Sequence, residues 1–190
     1  HTTSETTVND NLTVTGDLTV AGTSPSTGWT WISKTTAADV SSVDFSTCFG
    51  SLDMYCIRVN KFESATDNVY IMMRFETGGS FLDSGSLYSN EGYGYSTDNA
   101  NGDQIYIFDG VSDSDPSAFS LWLLRPSDDS DSTYCYWAGM SDRQGTSPNI
   151  FRWGGAGMLL TAGAVTGVQF FCHSGNVAAF EGSVYGLENS

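Results

Sequence analysis

Apolar and polar residues alternate with a period of two along most of this chain, and no segment keeps the apolar spacing of an amphipathic helix. Tyr55, Ile57 and Val59 alternate with Cys56, Arg58 and Asn60, and Ile71, Met73 and Phe75 oppose Tyr70, Met72 and Arg74. That alternation predicts half-buried strands, because successive side chains of a strand point to opposite faces. Nine strands are predicted: Trp29–Ser33, Met54–Phe62, Val69–Glu76, Gln104–Asp109, Ala118–Arg125, Thr133–Gly139, Asn149–Trp153, Val165–His173 and Val177–Leu187. They are rich in Tyr, Phe, Val, Ile and Trp, and Gly, Ser, Asn and Asp cluster between them. Short strands at this spacing predict an all-β fold, a β-sandwich of jelly-roll type. Two stretches read as long surface loops, the glycine-rich Thr77–Asp103 and Val111–Ser117, where a rigid sandwich would carry a binding surface.

The first residues follow a different rule. Thr6-Thr7-Val8-Asn9-Asp10-Asn11, Leu12-Thr13-Val14-Thr15-Gly16-Asp17 and Leu18-Thr19-Val20-Ala21-Gly22-Thr23 are copies of one six-residue pattern. Each is a short β-branched run closed by a turn pair. Strands this short cannot bury a core alone, since even an isolated hairpin is marginal in water. They become stable by stacking on themselves or on copies from other chains. Residues 1–28 therefore read as a β-repeat stalk ending in the hinge Thr23–Gly28, and residues 29–190 as the sandwich domain. Val8, Leu12, Val14, Leu18 and Val20 are the candidate assembly and docking residues of the stalk.

Composition narrows the function. With 39% hydrophobic and 13% aromatic residues the chain can fill a globular core. No apolar run approaches the ~18 residues of a helical membrane span, so membrane insertion is not expected. Seven Lys+Arg against 22 Asp+Glu give a formal charge of −15, which repels phosphate backbones and argues against nucleic acid as a partner. Cys48, Cys56, Cys135 and Cys172 lack the paired spacing of a zinc site. Buried free thiols are the default for three of them, with Cys48–Cys56 or Cys135–Cys172 bridges left open.

Catalytic signatures are missing from the sequence. No G-x-S-x-G or H-E-x-x-H motif occurs, and Cys172 and His173 are strand neighbours that should face opposite ways. No catalytic residue, cofactor or metal ligand is assigned. Asp109, Asp113 and Asp115, like Asp128, Asp129 and Asp131, could offer hard oxygen ligands, but solvated acidic turns are commoner. Tyr93 and Tyr95, within Gly92-Tyr93-Gly94-Tyr95, and Trp153, followed by Gly154-Gly155, are the candidate surface-contact residues. Flat rings beside polar groups would suit a sugar.

The repeats ending in Gly16-Asp17-Leu18-Thr19-Val20-Ala21-Gly22-Thr23 resemble the N-terminal stalks of bacteriophage fibre and spike proteins. Downstream, Ser41-Ser42-Val43-Asp44-Phe45, Met54–Asn60, Thr66–Phe75 with Gly78-Gly79-Ser80-Phe81, Thr166–Phe170 and Gly182–Leu187 are similar to a β-sandwich domain of tailed-phage structural proteins. The resemblance implies a homotrimer on the virion surface, bound to capsid or tail proteins and without enzymatic activity. With only three repeats, it implies a short head fibre or capsid decoration protein. The alternative is the receptor-binding tip of a tail fibre, recognising a host-surface glycan through Thr77–Asp103.

Overall fold

A computed structural model describes residues 28–83, 87–92, 95–113, 115–142 and 150–187, with the backbone alone for 90, 92, 95–101 and 142. The proposed stalk, with Val8, Leu12, Val14, Leu18 and Val20, and the tyrosine at Tyr93 lie outside the described residues.

The protein is all-β. Thirteen strands are described: β1 (Thr30–Val40), β2 (Ser42–Phe45), β3 (Met54–Ser64), β4 (Val69–Thr77), β5 (Ser80–Phe81), β6 (Tyr88–Gly92), β7 (Tyr95–Gly102), β8 (Ile105–Val111), β9 (Ser117–Leu124), β10 (Tyr134–Asp142), β11 (Ile150–Leu159), β12 (Val165–Cys172) and β13 (Val177–Leu187). One sheet runs β1-β13-β3-β9-β10-β11-β6-β7 and the other β2-β12-β4-β5, with β8 also paired to β4. Setting aside β5–β7 and β10–β11, eight strands remain, in the orders 1-8-3-6 and 2-7-4-5. That is the jelly-roll circuit of two interlocked Greek keys. The remaining strands widen the first sheet beyond β9 and cap the edge of β4.

The inner faces meet in an aromatic core. Phe170 on β12 packs against Phe45, Phe119 and Phe180 at centroid distances of 6.3, 5.5 and 6.2 Å, and Phe62 meets Phe180 at 6.0 Å. These rings come from both sheets, and edge-to-face pairs add to the burial energy. Trp137 and Tyr88 extend the core under the widened part. Trp137, buried on β10, donates its indole N–H to Ile107 O at 3.1 Å. The Tyr88 hydroxyl accepts the Phe75 N–H at 2.9 Å and donates to Leu82 O at 3.0 Å.

The edge of β4 explains why Tyr88 is there. β8 pairs with β4 from Val69 to Met73 and β5 from Glu76 to Thr77, leaving Phe75 between the two partners. A buried amide without a partner is costly, and the Tyr88 phenol fills this gap.

Thr77–Asp103, read from sequence as a loop, contains β5, β6 and β7. β5 caps the edge of β4 and β6 and β7 are the outer strands of the widened sheet, positions where strand propensity is a weak guide. β2 was also absent from the predicted strands, being only four residues long. Asn149–Trp153 continues to Leu159, through glycines a propensity argument treats as an end. Gly157 lies against Ile105: a Cβ there would come within 2.9 Å of Ile105 Cδ1. The glycine lane lets the two sheets close together at this point.

Candidate functional site

Register fixes which side chains share the outer face of the large sheet, because residues directly opposite across strands point the same way. One row reads Trp31, Tyr185, Cys56, Trp122, Tyr136 and Ala156 across β1, β13, β3, β9, β10 and β11. A second row reads Leu187, Met54, Leu124, Tyr134 and Met158. The residues that alternate with them along the strands, such as Ile57, Leu121, Leu123, Cys135 and Trp137, fill the core. The two rows are thus the outside of the sheet, and they are apolar and aromatic.

Much of this surface is open. Trp31 is 60% exposed, Tyr134 50%, Tyr136 42% and Leu124 37%. Trp122 and Tyr136 stack at 4.7 Å with their planes 10° apart. Neither row contains a carboxylate until β6, where Glu91 lies opposite Ala156. Next to the rows the face turns polar and basic. Lys34, Arg58, Lys61 and Arg152 line it, with Glu181 held by Lys34 at 2.9 Å and Glu63 by Lys61 at 2.9 Å. Hydrogen bonding and charge from Lys34 lower the Glu181 carboxyl below its usual range. A shallow open depression of about 250 Å³ lies here, lined by Arg58, Asn60, Ser120, Ala138 and Met140 among others.

The residues singled out from sequence sit elsewhere. Trp153 is half-buried: its ring packs toward Phe108 at 6.1 Å, and its N–H donates to Ser141 Oγ at 2.7 Å. Tyr95 opens β7, its side chain outside the described residues. The missed residues are those of the two rows, and sequence did carry a signal for them. Leu121-Trp122-Leu123-Leu124 and Tyr134-Cys135-Tyr136-Trp137 are unbroken apolar runs where a strand with one wet face should alternate. Such runs mark strands covered on both sides.

The remaining chemistry is structural. All four cysteines are free thiols. Burial pushes Cys48 up to about 12 and raises Cys56, Cys135 and Cys172 as well, which keeps them protonated and unreactive near neutrality. Cys172 is buried and His173 exposed, so they diverge; His173 instead packs on Tyr70 at 5.2 Å and accepts its backbone N–H through Nδ1 at 3.3 Å. Asp128 and Asp131 both meet Arg125, at 3.3 and 3.7 Å; the Asp128 carboxyl is lowered chiefly by hydrogen bonds from Ser130, with Arg125 adding less. The Asp67 carboxylate accepts the Asp113 N–H at 2.8 Å, and its proximity raises the Asp113 carboxyl. Among the described residues no group of three or more His, Cys, Asp or Glu converges as a metal site.

Buried Glu76 joins three segments. Its Oε2 accepts the Thr47 N–H at 2.8 Å and the Thr166 hydroxyl at 3.2 Å, tying the end of β4 to the chain after β2 and to β12.

No family model, curated protein or solved structure matches this chain.

Proposed function

We propose that this chain is a non-enzymatic structural protein of a phage virion, a trimeric head fibre or capsid decoration protein projecting from the particle surface. The observation that carries the reading is the in-step six-residue repeat, which runs through a short hinge into the first strand of a jelly roll. A repeat that cannot bury its valines and leucines alone calls for stacking on identical segments. A jelly roll at its end gives a compact head. The acidic surface would keep a dense array of such heads soluble and apart.

Gold labelling of intact phage particles with an antibody against residues 29–190 tests this. Label spread over the head supports the head-fibre or decoration role. Label confined to the tail transfers the protein to the receptor-binding tip of a tail fibre and makes host-surface glycans its ligands. Unlabelled particles would overturn the virion reading.

A further inference from the structure

We infer that the two apolar rows on the outer face of the large sheet are the surface through which copies of this chain pack against one another. This rests on the oligomeric reading above and adds to it: the sandwich domains, beyond the stalk, are in contact.

Area comes first. Aromatic side chains bury ~150–250 Å² each when covered. At the exposures of Trp31, Tyr134 and Tyr136, these rings alone leave roughly 300 Å² open. Leu124 and the half-buried Met54, Cys56, Trp122, Met158, Tyr185 and Leu187 add to the same continuous patch. A patch of that size lies at the upper end of what monomers expose, and it supplies a large part of the ~800 Å² per partner of a standard interface.

Three observations favour a second copy as the occupant. The patch begins at Trp31, at the start of β1, where the chain arrives from the repeat. Copies joined through residues 1–23 would therefore hold their patches near one another, at the high effective concentration of a short tether. Charge points the same way. Chains of net charge −15 repel, and this face holds Lys34, Arg58, Lys61 and Arg152, four of the seven basic residues, Lys34 and Lys61 being paired with Glu181 and Glu63, beside rows nearly free of carboxylates. It is where like-charged copies can approach at least cost. The unbroken apolar runs of β9 and β10 supply the third observation: such runs mark strands covered on both faces, and the described residues cover one.

The test compares full-length protein with Tyr136→Glu and Gln169→Glu, each adding one negative charge, Tyr136 in the patch and Gln169 on the outer face of the small sheet. Light scattering and sedimentation over a dilution series give mass and dissociation constant, and thermal unfolding verifies the fold. The inference expects an oligomer whose dissociation constant rises at least about a hundredfold in Tyr136→Glu, where a charge is desolvated without a partner, and stays unchanged in Gln169→Glu. If wild type is oligomeric and neither substitution weakens it, the stalk alone makes the oligomer and the inference fails while the oligomeric reading survives. A monomeric wild type overturns both. An oligomer unaffected by Tyr136→Glu that binds a polysaccharide, with binding lost in the variant, would give the patch to a glycan instead.

Discussion

Removing one oxygen from the core tests the account of the β4 edge. In Tyr88→Phe the ring stays, fully buried against Phe75 at 5.9 Å, but both hydroxyl bonds go. The Phe75 N–H then has no partner in the gap between β8 and β5. A buried donor left unsatisfied costs ~1–3 kcal/mol, and the lost bond to Leu82 O another ~0.5–1.5 kcal/mol. The sum is about 2–4 kcal/mol. For a chain of this size each kcal/mol moves Tm by ~2–4 °C, so a fall of roughly 4–16 °C is expected. Urea unfolding followed by tryptophan fluorescence, at fixed protein concentration, should show a lower midpoint with an unchanged slope. Thr161→Ala, which removes an exposed hydroxyl in the bend after β11, serves as the control and should stay within ~0.5 kcal/mol of wild type. If Tyr88→Phe is as stable as that control, the gap at Phe75 is filled by something other than the phenol, and the reasoning fails.

Other outcomes follow from the same structure. Gly139→Ala should destabilise by ~1–3 kcal/mol in chemical denaturation, because its Cβ would fall 2.5 Å from the Ala118 carbonyl oxygen and 2.4 Å from Phe119 Cβ. Thr47 holds φ +50°, a conformation that penalises a β-branched residue, so Thr47→Gly should raise Tm slightly and not lower it. Glu76→Ala, which orphans the Thr47 N–H, should cost ~2 kcal/mol or more, and Glu76→Gln, which keeps an acceptor, clearly less. Alkali should destabilise the fold. Burial raises Cys48 from 9.0 and Tyr88 from 10.0 to about 12 each, so the unfolded chain ionises first. Stability present below pH 9 is then lost as pH rises toward 12, and a Tm unchanged from pH 8 to 10.5 in reductant would contradict this.

The alternation at Tyr55–Asn60 and Ile71–Phe75 made β3 and β4 legible, because each has one face in the core and a more polar one outside. Val177–Leu187 was placed to the residue. What stayed hidden depends on tertiary position. Lys34 to Asp39 continue β1 although nothing in their polarity requires it, since pairing with β13 holds them, helped by the Lys34–Glu181 ion pair, the Asn176–Asp39 hydrogen bond and Ala37 against the core. β6 looks like loop in Ser89-Asn90-Glu91-Gly92, yet it lies beside β11 and carries Tyr88 into the core. The outer face was missed for the opposite reason. Its residues are as apolar as core residues, so the run around Trp122 gives no sign of which side of the sheet each residue occupies. Only the register separates Trp122, outside, from Leu121 and Leu123, inside.

The order of strands in the large sheet carries a consequence for biosynthesis. Among the described residues β13 comes last in sequence; it lies between β1 and β3, and β1 pairs with no other described strand of the sheet. A nascent chain therefore holds its first strand unpaired until residues 177–187 have left the ribosome. The sandwich cannot close strand by strand as translation proceeds, and its closing step is the long-range pairing of β1 with β13, of the kind that makes folding slow. A chain cut before Val177 would lack this inner strand and leave the facing sides of β1 and β3 both bare.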